Sequence, residues 1–81
     1  MYKYEVLGDM IIEFLKQRKK EGNKTYVLRA TDVNRMFNIG HHRYPMICQA
    51  MAYATRRYQG TQIDGKNPSS SLTVEYKLTF F

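Results

Sequence analysis

The chain has 81 residues, 43% of them apolar and 14% aromatic, with a formal net charge of +6. That length bounds one small domain with one modest core, and that apolar content excludes wholesale disorder. A single cysteine, Cys48, excludes an internal disulfide and any multi-cysteine zinc cage, and it suits a reducing compartment.

Residues 4–21 predict an amphipathic helix. Leu7, Met10, Ile11, Phe14 and Leu15 repeat at helical spacing, and Glu5, Asp9, Glu13, Lys16, Gln17 and Lys20 fall on the other side. The acids come first and the bases last, as the helix dipole favours, and Gly22-Asn23 is a stop signal. Those acids interrupt the apolar run, so it reads as neither a signal peptide nor a membrane span. Val6 and Ile12 fall outside the stripe.

"KTYVLR", 24–29, predicts a short strand from its β-branched and aromatic residues. Thr31 reads as the N-cap of a two-turn helix, with Asp32 in its first turn and Val33, Met36 and Phe37 facing inward. Asn38-Ile39-Gly40 ends it. A longer helix, about 45–58, starts at Pro45, a residue favoured at the first helical position. Ile47, Ala50, Met51, Ala54 and Tyr58 share its inner side, and Pro45, Gln49, Ala52, Tyr53 and Arg56 its outer side. The outer set contains no acid.

Tyr58–Ile63 can pair with the strictly alternating "LTVEYKLTF", in which Leu72, Val74, Tyr76, Leu78 and Phe80 share one face. The intervening 64–71, with Asp-Gly, Asn-Pro and three serines, reads as a mobile polar loop. Tyr26, Tyr76 and Phe80 are expected in the core. No repeat and no linker divides the chain, so 1–81 reads as one domain.

Charge is concentrated in the middle. Residues 24–60 carry Lys24, Arg29, Arg35, Arg43, Arg56 and Arg57 against Asp32 alone, a net of +5. Arginine's planar fork suits phosphate and guanine, so the pattern points to a polyanion. Adjacent His41 and His42 with Cys48 nearby do not make a metal site, which needs three or four ligands with suitable geometry. Cys48 lacks the surroundings of a nucleophile, no pair of acids is placed for acid–base work, and the five glycines stand singly. Neither an enzyme nor a cofactor is indicated.

The order helix, strand, helix, turn, helix, β-hairpin resembles the winged helix-turn-helix family, an α+β fold. "TDVNRMFNIG" is similar to that family's first motif helix and turn, and "YPMICQAMAYATRRY" to its recognition helix. Small size and many tyrosines are similar to short archaeal and archaeal-virus members. The stretch Gly40–Tyr44 makes the turn longer than the compact form. The resemblance implies sequence-specific binding of double-stranded DNA by a transcriptional regulator, with the 45–58 helix in the major groove and the 64–71 wing on flanking backbone or minor groove.

On that reading Gln49 pairs with adenine, Arg56 with guanine or phosphate, Ala52 meets a thymine methyl, and Tyr53 donates to phosphate. His42, Arg43 and Tyr44 hold phosphates at the start of the helix. Arg57 lies near phosphate or caps the helix C-terminus, and Lys66 contacts DNA from the wing. A homodimer is expected on family grounds, as is a cytoplasmic location, the host's if the chain is viral. Two alternatives stay open: docking onto an acidic protein partner, and RNA binding.

Overall fold

The structure, a computed structural model, describes residues 3–40, 43–66 and 69–78. Three helices and a three-stranded antiparallel sheet run in the order α1 (Tyr4–Lys20), β1 (Thr25–Arg29), α2 (Ala30–Phe37), α3 (Tyr44–Ala54), β2 (Gly60–Asp64) and β3 (Thr73–Lys77). The sheet order is β1-β3-β2, so the last strand is central and the other two are edges. His41, His42 and Phe80 lie outside the described residues.

Helix α1 ends as its sequence predicts. Gly22 takes φ +99°, and the Gly22 and Asn23 amides donate to the carbonyls of Lys19 and Arg18. This is the paired closure that satisfies terminal carbonyls. The Asn23 side chain adds a third bond, to the Arg18 carbonyl at 2.9 Å.

Helix α2 begins earlier than expected. Its N-cap is Arg29, not Thr31, and the Asp32 carboxylate accepts from the Arg29 backbone N–H at 3.2 Å. Strand β1 therefore passes into α2 without a loop, because Ala30 donates its own N–H to the Leu72 carbonyl at 2.8 Å. Val33 is buried as expected, but Met36 is 38% exposed. With only two turns, α2 presents too narrow a face to bury three large side chains.

Helix α3 is shorter than the expected 45–58. It stops at Ala54, and Thr55 to Arg57 form a turn. The Thr55, Arg56 and Arg57 amides donate to carbonyls three residues back, and the Thr55 hydroxyl donates to the Ala52 carbonyl. A β-branched residue whose hydroxyl competes for helical carbonyls tightens and ends the helix here. The turn folds Tyr58 into the core, where it is 1% exposed.

The core joins Leu7, Ile11 and Leu15 of α1, Ile47, Met51 and Ala54 of α3, and Leu28, Val74 and Tyr76 of the sheet. Each large aliphatic side chain so buried contributes about 1.5–3 kcal/mol. The alternation in β3 holds for Leu72, Val74, Tyr76 and Leu78. Thr73, on the other face, is also buried, and its hydroxyl accepts from Arg29 Nε at 3.2 Å and donates to the Ser71 carbonyl at 3.0 Å.

Helix α1 packs more extensively on α3 than on any other element. Gly8 permits this. A Cβ there would lie 2.9 Å from Tyr53 Cγ and closer still to Cδ1. No helix among the described residues is long and apolar enough to cross a membrane.

Candidate nucleic-acid interface

The outer side of α3 carries Gln49, Ala52 and Arg56 together. They line a shallow cleft of about 250 Å³ with Tyr53 and, from the start of α1, Tyr4. Gln49, Ala52 and Arg56 are exposed, and Tyr53 is half-buried. Arg56 sits on the turn after the helix, not on the helix itself, yet its guanidinium lies 5.2 Å from the centre of the Tyr53 ring and stays on the same face. Arg57 lies 5.6 Å from the Tyr58 ring, on the same turn.

Tyr53 is engaged from the α1 side. Its ring meets Tyr4 edge-on at 6.2 Å between centroids and rests where a Gly8 side chain would be. The negative charge of Asp9 raises its phenol above the ordinary value, and partial desolvation and Glu5 act the same way. The absence of acids on the outer side of α3 therefore holds within that helix only. Folding brings Asp9 and Glu5 of α1 to its edge, and they disfavour a phosphate at the Tyr53 hydroxyl.

The approach to α3 is organised by Asn34, a residue the sequence reading did not single out. Its side-chain carbonyl accepts from the amides of Ile39 at 3.1 Å and Gly40 at 2.8 Å. Its Nδ2 donates to the Gly40 carbonyl at 3.3 Å and to the Tyr44 hydroxyl at 3.1 Å. Asn38 in the left-handed region (φ 53°) and Gly40 at φ +124° let the chain reverse around this amide. Asparagine's habit of bonding nearby backbone is the signal in the sequence that was passed over here. Arg43 follows as the N-cap of α3 and Tyr44 as its first residue, both half-buried.

The loop between β2 and β3 carries several hydrogen bonds in its described part. Gly65 has φ +78°, and a Cβ there would overlap the Ser71 carbonyl. Gln62 Nε2 donates to the Gly65 carbonyl at 2.7 Å, and the Ser69 hydroxyl to the Lys66 carbonyl at 2.7 Å. Lys66 is exposed. The Cys48 thiol, buried on α3, donates to the Ser69 carbonyl at 3.4 Å and so ties the wing to the helix. Burial raises its pKa, which keeps it a protonated thiol. Gly60 lets β2 pass under the end of α3, since a Cβ there would come 2.9 Å from both Thr55 and Val74.

Among the described residues, Arg43, Arg56, Arg57 and Lys66 make no ion pair, whereas Arg18 pairs with Glu21. No group of three or more His, Cys, Asp or Glu among the described residues is placed to hold a metal. His42 lies outside the described residues. Of the other expected contact residues, the structure brings together Gln49, Ala52, Tyr53 and Arg56, whereas Arg57 lies outside that cleft, over the Tyr58 ring. Tyr44 and Arg43 stand at the other end of α3, and Lys66 stands in the loop between β2 and β3.

No family model matches the chain, and neither a curated protein nor a solved structure matches it.

Proposed function

We infer that the chain is a winged helix-turn-helix domain that binds double-stranded DNA, without catalysis, as a cytoplasmic regulator of transcription acting as a homodimer. The observation that carries this reading is the exposed face of Gln49, Ala52 and Arg56, flanked by arginines that make no ion pair among the described residues, with Asp9 and Glu5 reaching only its Tyr53 edge. Guanidiniums that make no ion pair among the described residues, around a helix face that carries the small Ala52, suit a major groove walled by phosphates. The sheet order, with β1 on one edge and the β2–β3 hairpin completing the sheet after α3, supports the winged layout.

In this arrangement α3 lies in the major groove. Gln49 addresses adenine, Ala52 lets the backbone approach, and Arg56 takes guanine or phosphate. Arg43, Arg57 and Lys66 hold phosphates on either side. Tyr53 has a different role from the one its position on α3 first implied: it fixes α3 against α1 and supports Arg56 from below.

Fluorescence anisotropy with a labelled random duplex across a salt series tests this. Micromolar binding is expected at low salt. The log–log slope should be about one unit shallower in Arg56→Ala than in wild type. No binding at low salt would overturn the DNA reading and turn attention to an acidic protein partner. Tighter binding to single-stranded RNA would favour the other alternative.

A further inference from the structure

Beside the α2–α3 turn lies a second cleft, of about 380 Å³, lined by Thr31, Asn34, Arg35, Asn38, Gly40 and Tyr44. Its lining holds one cation and several hydrogen-bond donors, and the acceptors around Asn34 are taken. The Asn34 carbonyl oxygen is occupied by the amides of Ile39 and Gly40. The Gly40 carbonyl accepts from Asn34 and from the Arg43 amide. The Tyr44 oxygen accepts from Asn34, which leaves its O–H proton to offer.

The donors are spare. The Arg35 guanidinium, the Asn38 amide and the Thr31 hydroxyl have no side-chain partner among the described residues. Among the described residues no carboxylate lines the cleft. Asp32, the nearest acid in the sequence, accepts from the Arg29 amide. A cation with neutral donors arriving from α2, the turn and α3 is complementary to an anion carrying several oxygens in different directions. A carboxylate offers two oxygens in one plane, and a phosphate group offers more, tetrahedrally disposed.

We propose that this cleft binds a single phosphate group, with Arg35 as its cation and Thr31, Asn38 and Tyr44 as neutral donors. Two sources share that chemistry: a DNA backbone phosphodiester, which rests on the reading above, and free inorganic phosphate, which does not. In the first case Arg35 and Thr31 extend the DNA footprint onto α2, beyond the residues of α3 and the wing.

The test is a ¹H–¹⁵N NMR titration of the full chain, following the Arg35 Nε–H and Asn38 side-chain amide signals. One arm adds inorganic phosphate against chloride at equal ionic strength. The other adds a duplex, intact or with single neutral methylphosphonate linkages.

Both signals should move with phosphate and not with chloride. Arg35→Ala should weaken phosphate binding about tenfold, the loss of one charge-assisted contact, and Thr31→Ala should weaken it less. With the intact duplex the same signals should move. One neutral linkage should then abolish the difference between wild type and Arg35→Ala.

Movement with phosphate alone would assign the cleft to free phosphate, whether or not DNA binds elsewhere. Signals still in both arms, while Arg56→Ala still weakens duplex binding, would overturn the phosphate cleft and leave the DNA reading standing. Movement with phosphate and no duplex binding at all would do the reverse.

Discussion

The phenol of Tyr76, at the centre of the sheet, donates to the backbone carbonyl of Met51 at 2.7 Å. Met51 lies in the last turn of α3, where carbonyls have no partner within the helix. The bond therefore satisfies a helix terminus from a strand that follows it by more than twenty residues, and it ties the end of α3 to the central strand. Tyr76→Phe keeps the ring and leaves that carbonyl unsatisfied. The expected loss is about 1–3 kcal/mol, read by urea denaturation. A change under a few tenths would mean the bond contributes nothing net.

The same residue predicts a pH dependence. Burial pushes the Tyr76 phenol well above its ordinary value of 10.0. The folded state therefore holds its proton where the unfolded chain releases it. Its contribution to stability is complete below about pH 10 and falls as pH rises above that, because the unfolded state then binds fewer protons. Stability of wild type should decline more steeply above pH 10 than that of Tyr76→Phe. Parallel curves would show that another group dominates.

Gly8 and Tyr53 predict a change of sign. Alanine is favoured over glycine in a helix interior by about 1 kcal/mol. In wild type, Gly8→Ala should nonetheless destabilise, because the new methyl meets the Tyr53 ring. In a Tyr53→Ala background the clash is gone, and the same substitution should stabilise by about 1 kcal/mol. A double-mutant cycle in thermal or urea unfolding reads the coupling. Additive effects would contradict the packing of α1 on α3 described above.

Asn34→Ala removes four hydrogen bonds at the turn before α3. The expected cost is about 1–3 kcal/mol, since the Gly40 amide loses its acceptor while the Ile39 amide keeps the Asn34 backbone carbonyl at 3.3 Å. Duplex affinity should fall as well, through the misplaced start of α3, although Asn34 is not on the α3 face. Calorimetry and anisotropy on the same sample separate the two losses. Unchanged stability would show that water replaces the side chain without cost.

Gln49→Ala separates base reading from charge. If Gln49 pairs with adenine, preferred sites selected from a random pool should lose discrimination at one base pair, by about 1–3 kcal/mol, while the salt slope stays as in wild type. A shallower slope with selectivity intact would instead place Gln49 on the backbone.

Much of this architecture was legible in the residues. The helix at 4–20, the strand at 25–29 and the alternation through β3 follow from hydrophobic period, and the stop at Gly22-Asn23 from backbone preference. What was misread lies at joints. Thr31 has the residue type of a cap, but Ala30 is already held by the Leu72 carbonyl, so the helix starts before it. The periodicity of α3 runs on to Tyr58, but a turn at Thr55–Arg57 also delivers Tyr58 to the core, and the pattern cannot tell the two apart.

The sequence by itself determined the segments, the arginine-rich middle and which side of α3 turns inward, because period and composition act over a few neighbouring residues. Only the tertiary structure decided what stands beside the outer side of α3. Asp9, Tyr4 and Gly8 reach Tyr53 from more than forty residues away, and Asn34 joins the turn to Tyr44 across ten. Electrostatics and packing depend on distance in space, and the path of the chain between those residues is set by the core as a whole.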